Sequence, residues 1–302
     1  MELGGLVLRQ GHGTGDALHL VLNDLLGKAA ELLDRGSGGA GIRPVQEVGH
    51  LLLHQRLGDG IFVRQIQKAL LQGEVTLGVH SLKDLPTGPV EGLAIGAIPS
   101  RADPRDCLVG STLSGLEPGA SIGTSSPRRS AQIRRLRPDL EVVPLNGNIP
   151  TRIEKVARGE CDAAMLAAAG LSRLGISADE YLPLTSVLPA PGQGALAVEM
   201  RSGETELAGL LRSLHDESTA AEVRAERAVL RTLGGGCLLP VSALGRVVDA
   251  ELHLEARVLS DDGSREAYAQ ASGDPAAPEA SAAEVAEQLI RQGARELLES
   301  PG

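Results

Sequence analysis

The sequence predicts an α/β protein ending in a small α+β unit, and three observations carry that reading. From about residue 60 to 174, short apolar runs alternate with helical patterns, as in strands joined by crossover helices. After about residue 217 the pattern becomes a helix, several strand-like stretches and a final helix, without crossovers. The 302 residues are 42% hydrophobic, enough for two or three cores at roughly 100–200 residues per domain.

In chain order, FVRQIQKALLQ (62–72) has helical periodicity, and VTLGV (75–79) reads as a buried strand leading into the loop HSLKDLPT. A strand is expected at 93–98, another at 120–123, and a helix from Pro127 to Arg137. A strand at 140–144, a helix at 151–158, a strand at 161–167 and a helix near 168–174 continue the alternation, which implies parallel sheets. The stretch STAAEVRAERAVLRTL reads as an amphipathic helix before GGGC (234–237), followed by strands at 240–248, 251–259 and 265–271 and a last helix from about 281 to 298. Segment boundaries fall at SRADPRD near 100 and at LPAPGQG near 190.

Composition narrows the function classes. Phe62, Tyr181 and Tyr268 are the only aromatics, which argues against a nucleic-acid binder that stacks bases on rings. Cys107, Cys161 and Cys237 are too few and too scattered for a disulfide framework or a four-thiolate zinc site. No apolar run is long enough for a membrane span, and the first residues lack a secretory pattern, so a cytoplasmic protein is expected. The net charge of −10 is uneven. Residues 100–192 hold 11 basic and 10 acidic side chains, whereas 217–302 hold 8 and 15. Clustered arginines in the middle segment suit a small anionic ligand better than a nucleic-acid backbone.

IGTSSPRRSAQIRRLR (122–137) is the most informative stretch. Ser126 is a good N-cap and Pro127 fits the first helical position. Arg128 and Arg129 then stand in the first turn, where the helix dipole disfavours cations unless an anion compensates. Two readings stay open here: an anion site with the hydroxyls of Thr124, Ser125 and Ser126, or a capped surface helix with solvated arginines. Arg134, Arg135 and Arg137 read as surface charge. In LNGNIPTRIEK (145–155), Thr151 and Glu154 form a capping-box pattern with Arg152 in the first turn. Lys83 and Asp84 follow a buried strand, either as a turn with a local ion pair or as a carboxylate able to stabilise a developing cation. His80 reads as a structural turn residue, and Cys107 and Cys161, at strand-like positions, as core thiols. Cys237, after three glycines, is either an inert small residue or a nucleophile and covalent tether.

Taken together, VHSLKDLPT (79–87), DPRD (103–106), IGTSSPRRSAQIRRLRPDL (122–140), GNIPTRIEK (147–155), LAAAGLSRLG (166–175), LPAPGQGALAVE (188–199) and AERAVLRTLGGGCLLPV (225–241) resemble the porphobilinogen deaminase (hydroxymethylbilane synthase) family, in order and spacing, from Phe62 onward. The resemblance implies three domains: two periplasmic-binding-protein-like α/β lobes, 1–99 with 193–216 and 100–192, and a small α+β domain, 217–302. It implies a transferase of tetrapyrrole and heme biosynthesis, monomeric, with porphobilinogen and the growing oligopyrrole as partners and no nucleic acid or membrane. It further implies a dipyrromethane cofactor joined by a thioether to Cys237. Four porphobilinogens are added head to tail with loss of ammonia, and water releases hydroxymethylbilane. Lys83, Arg128, Arg129, Arg152 and Arg173 match the family's carboxylate-binding positions, with Ser81, Thr124, Ser125, Ser126 and Asn148 as hydrogen-bonding partners. Of these, Arg128, Arg152 and Arg173 match positions that meet substrate. Asp84 matches the carboxylate that holds pyrrole N–H groups and stabilises the azafulvene cation, with Lys83 beside it. Gln193 falls on the family motif at the domain hinge.

The match has gaps. Asn146 stands where the family has arginine, and Asp59 where a glycine-rich loop usually carries lysine. Residues 1–58 contain no counterpart of the threonine-arginine-x-serine stretch that binds cofactor carboxylates, Arg9 being at most a displaced remnant. Either the chain has diverged into a catalytically impaired pyrrole- or anion-binding homologue, or the coding sequence upstream of about 58 is discontinuous; the abruptness of the change favours the second.

Overall fold

The structure, a computed structural model, describes residues 61–234 and 239–299. Asp59, Cys237 and the expectations about residues 1–58 lie outside the described residues.

Helix α1 (Ile61–Leu71) turns Val63, Gln67 and Leu70 inward at helical spacing. It lies beside a three-stranded sheet, β1 (Gly78–Ser81), β8 (Leu196–Arg201) and β2 (Leu93–Ala97), with β8 in the middle. Both pairings are antiparallel. β1 therefore starts three residues later than its apolar run suggested, because Val75 to Leu77 lead into the strand, and β1 carries His80 within it. His80 is 3% exposed and pairs with Glu199 of β8 at 2.9 Å. It is structural as expected, but on a strand rather than a turn.

Five strands make the central sheet, in the order β5 (Glu141–Val143), β4 (Ser121–Gly123), β6 (Ala163–Ala167), β3 (Asp106–Val109), β7 (Glu180–Tyr181). Only β5, β4 and β6 run parallel; β3 is antiparallel to both β6 and β7. The expectation of parallel sheets is corrected accordingly. β3 and β7 do not belong to the β–α–β succession; β7 was not anticipated, and of β3 only the strand-like position of Cys107 was. Alternate residues feed two cores: Leu108, Ile122, Ile133 and Met165 on one face, Cys107, Leu145, Leu166 and Leu171 on the other. Cys107 and Cys161 are buried in the second core, as expected of core thiols. Covered on both faces, β6 is a continuous apolar run, AAMLA. Helices α2 (Pro127–Leu136), α3 (Ile149–Ala157) and α4 (Ala168–Arg173) follow β4, β5 and β6.

The chain leaves the first sheet after β2, builds the central sheet and returns to β8, so two segments cross side by side; Ala102 N–H donates to Gly194 O at 3.2 Å between them. After α5 (Thr205–Leu211), the C-terminal part is an antiparallel meander, β9 (Val241–Val248), β10 (Glu251–Leu259) and β11 (Glu266–Gly273), covered by α6 (Glu217–Thr232), α7 (Pro278–Arg291) and α8 (Ala294–Glu299). Leu252, Leu254, Ala256 and Val258 of β10 alternate inward against Val229, Val285 and Leu289. This is the predicted α+β unit. Its last helix is two, because Gly293 takes a φ of +85° between α7 and α8.

Candidate active site

The polar centre of the molecule sits at the carboxyl ends of β1, β4 and β6, where α/β sheets leave room for ligands. The start of β3 meets them there, because its antiparallel register sets Asp106 opposite Ala167 at the end of β6.

Asp106 is completely buried and collects four donors. Arg128 Nη1 donates to it at 2.6 Å, Arg129 Nε and Nη2 at 3.0 and 2.8 Å, and Gln193 Nε2 at 3.0 Å. Burial pushes its carboxyl up, but the two guanidiniums outweigh that and hold it well below the usual carboxylate range. The anion that compensates the first-turn arginines of α2 is thus first of all a side chain of the protein, which corrects the expectation of a ligand alone. Arg128 and Arg129 are 4% and 6% exposed, which excludes the solvated-arginine reading. Arg128 also donates to Leu188 O at 2.7 Å and Arg129 to Met165 O at 3.1 Å. The buried Nε of Arg128 has no partner among the described residues.

Lys83 joins this cluster across the crossing segments: its Nζ donates to Gln193 Oε1 at 3.3 Å. It stands in the single 3-10 turn Leu82–Asp84 that follows Ser81, the last residue of β1. Burial lowers its pKa from 10.5 to about 8, Asp84 and Asp106 working against the shift and Arg129 and Arg128 with it. Asp84, next in the turn, presents an exposed carboxylate. Arg173, at the end of α4, donates to Gly194 O at 2.9 Å, and burial lowers its pKa. Lys83, Arg128, Arg129, Arg173 and Gln193 are therefore brought together, with more cations than the single buried carboxylate can neutralise.

The serine-threonine loop after β4 is held by its own backbone. Thr124 Oγ1 accepts from Ser126 N–H at 3.2 Å, and Ser125 Oγ from Leu145 N–H at 3.0 Å. Ser126 occupies the N-cap with Pro127 after it, but its hydroxyl makes no cap. The capping box at Thr151 and Glu154 is corrected: α3 starts earlier, and Asn148 caps it by accepting from Thr151 N–H at 2.8 Å. Arg152 Nε donates to Gly147 O at 2.7 Å. Asn146 is exposed and its carbonyl accepts from Lys155.

Several residues escaped the sequence reading. Asp106 is one; the signal available was DPRD, a lone acidic motif in a segment whose arginines needed a counterion. Arg134, Arg135 and Arg137 are not free surface charge. Arg134 donates to Asp261 O, Arg135 pairs with Glu266, and Arg137 binds Leu113 O, Leu116 O and Asp139. The far end of α2 is thereby tied to the β10–β11 connection. From α6, the fully buried Glu226 binds Arg101 at 2.6 Å, Gly192 N–H at 2.6 Å and Gly245 N–H at 2.8 Å.

Among the described residues no helix is long and apolar enough to cross a membrane, and no group of His, Cys, Asp and Glu could hold a metal ion.

Residues 45–209 match the family model described as porphobilinogen deaminase, dipyromethane cofactor binding domain, and 220–291 that described as porphobilinogen deaminase, C-terminal domain. The first match begins upstream of Phe62, so residues 45–58, where no motif was recognisable, fall within the matched range. The chain is 48% identical to the porphobilinogen deaminase of Acidothermus cellulolyticus over 258 residues, 82% of this chain and 78% of that one. It is likewise 48% identical to that of Thermus thermophilus over 246 residues, 80% and 82% of the two chains. Among solved structures, a TRAP periplasmic solute binding protein from Desulfovibrio salexigens aligns with 66% of this chain and 69% of its own at 13% identity and TM-score 0.41, too slight a likeness to argue from.

Proposed function

The chain belongs to the porphobilinogen deaminase family, transferases with a dipyrromethane cofactor-binding domain, and from that premise we propose that it is a hydroxymethylbilane synthase. It condenses four porphobilinogens head to tail onto a dipyrromethane held by a thioether to Cys237, releasing ammonia and finally hydroxymethylbilane. The observation that carries this reading is the cluster of Lys83, Arg128, Arg129 and Arg173 around one buried carboxylate. Its four cations outnumber the Asp106 carboxylate they gather near, and among the described residues the buried Arg128 Nε has no partner.

That donor set fits a polycarboxylate. Each pyrrole of the cofactor and substrate carries an acetate and a propionate, and guanidinium and ammonium groups bind carboxylates by charge-assisted hydrogen bonds. Lys83, Arg128, Arg129, Arg152 and Gln193, with Ser81, Thr124, Ser125, Ser126 and Asn148, hold the cofactor's arms; Arg128, Arg152 and Arg173 hold the incoming substrate's. When bound, the cofactor supplies the primer to which the first unit is joined. Asp84, exposed beside Lys83, accepts from pyrrole N–H groups and stabilises the cation left when porphobilinogen loses ammonia. The buried Asp106 does not meet substrate in this scheme; it fixes the arginine forks in place before any ligand arrives. The crossing segments around Gln193 support a layout of 1–99 with 193–216, 100–192 and 217–302, in which Lys83 and Arg128 come from different lobes.

Intact-mass measurement of purified protein tests the proposal. The expected result is added mass equal to a dipyrromethane, a positive Ehrlich reaction, loss of both in Cys237→Ser, and ammonia release from porphobilinogen. Unmodified Cys237 in active enzyme refutes it. Stoichiometric binding of porphobilinogen without ammonia release identifies instead an impaired pyrrole-binding homologue.

A further inference from the structure

In sequence, helix α6 ends five residues before Cys237, and its Arg227 reaches the turn that follows β1. Arg227 Nη1 donates to Leu82 O at 3.0 Å and to Leu85 O at 2.8 Å, and its Nη2 to Pro86 O at 2.6 Å. Those carbonyls bracket Lys83 and Asp84. The turn is anchored at its ends by the buried Leu82 and Leu85 and by Leu82 N–H donating to Ala195 O at 3.0 Å, but its own closure is one 3-10 bond, Leu85 N–H to Leu82 O at 3.3 Å, and its N-cap Ser81 makes no side-chain cap. Short 3-10 turns have poor hydrogen-bond geometry and leave their last carbonyls unsatisfied. A planar fork with fixed donors engages all three of these carbonyls in one geometry, which a flexible ammonium cannot reproduce.

We propose that Arg227 is a positioning residue for the reaction: it locks the Leu82–Pro86 turn so that the Asp84 carboxylate is held where charge develops, and does so from the helix that leads to the cofactor-bearing loop. The inference rests on the catalytic reading of Asp84 given above. Arg227 is adjacent in sequence to Glu226, which binds the crossing segment through Gly192 N–H and Arg101. Two successive residues of α6 thus hold the crossing segment and the turn that carries Asp84.

Arg227→Gln and Arg227→Lys in the full-length holoenzyme test this, with Arg224→Gln as control, since Arg224 lies on the same helix and pairs with exposed Glu279. Misplacing a catalytic group by about an ångström costs up to about 100-fold. The expected result for Arg227→Gln is therefore a kcat loss of about 10–100-fold with KM within about threefold, dipyrromethane still attached, and partial recovery in Arg227→Lys. Amide hydrogen exchange at Leu85 should quicken in Arg227→Gln and not in Arg224→Gln, whether or not the preparation turns over. Unchanged kcat or unchanged exchange overturns the proposal, as does a kcat loss that vanishes on cooling well below the melting transition. Wild-type kcat in Asp84→Asn overturns the catalytic reading of Asp84 itself, a different failure.

Discussion

Gln193 stands between Lys83 and Asp106, its amide oxygen accepting from Lys83 Nζ at 3.3 Å and its amide nitrogen donating to Asp106 Oδ1 at 3.0 Å. Through this one side chain the turn after β1 and the buried arginine cluster of α2 share a hydrogen-bond network. Gln193 is itself fully buried and lies between Gly192 and Gly194 on the returning crossing segment. A change at any one of these groups is felt by the others.

Removing the charge of Asp106 should be costly. Its two guanidinium partners are nine-tenths buried or more and would be left without their counterion. Breaking a buried ion pair from one side typically costs about 3–5 kcal/mol. Asp106→Asn should lower unfolding stability by about that amount in urea titration and raise KM for porphobilinogen. A variant as stable as wild type contradicts the central place given to this carboxylate.

Lys83 should set an alkaline limit on substrate binding. With its pKa lowered to about 8, the ammonium is mostly charged at neutral pH and mostly neutral only above about pH 8. A tenfold drop in the protonated fraction for each pH unit above the pKa implies that KM for porphobilinogen rises up to about tenfold between pH 7 and 9. Lys83→Arg, charged throughout, should flatten that limb. The same shift acts on stability. The folded pKa lies below the unfolded value of 10.5, so the penalty for burying the ammonium is full below about pH 8 and relieved as pH climbs through the interval between the two values. A KM profile identical in wild type and Lys83→Arg removes Lys83 from the binding step.

Much of this was readable from residue order, and what was not has physical causes. The helix of α2 was legible because Ser126-Pro127 punctuates its start. The meander β9–β11 was legible because β10 alternates strictly. β7 was missed because two residues carry too few positions for a period to show, and of β3 only the strand-like position of Cys107 was legible, its short apolar run following directly on the boundary segment SRADPRD. At the site, Lys83, Arg128, Arg129 and Gln193 were named from motifs, but their common partner Asp106 was not: periodicity does not say which acid in DPRD turns inward. The roles of Arg135 with Glu266 and of Arg227 with Leu82 escaped for a related reason. Their partners are 131 and 145 residues away, and no local pattern encodes such pairing.

Gly194→Ala should damage the crossing segment. Gly194 has a φ of +90°, and a Cβ there would stand 2.4 Å from Ala102 O, in the backbone of the other crossing segment. Neither strain nor overlap can be relieved by a side-chain rotation. The backbone strain alone is worth about 1–3 kcal/mol, so thermal unfolding should show at least that loss. Because Gly194 O also accepts from Arg173, KM should rise with it. A stable variant with normal KM would show the crossing to be looser than the Ala102–Gly194 contact implies.

The last prediction concerns Asp84. Its carboxylate is exposed, so Asp84→Asn should cost little stability, the loss being confined to weaker support for the buried Lys83 ammonium. Its neighbour Lys83 loses one of the charges that favour its protonation, so the Lys83 pKa should fall further and the alkaline rise in KM should begin at lower pH. Turnover should respond far more strongly than stability. A preorganised charge aimed at a developing ion is commonly worth about 100–1,000-fold in kcat, and the loss should appear in kcat with the cofactor still attached. Measured together, unfolding, the KM profile and kcat separate the three roles of this position. Intact stability with near-normal kcat would remove Asp84 from the chemistry and leave the cationic cluster to bind pyrroles without it.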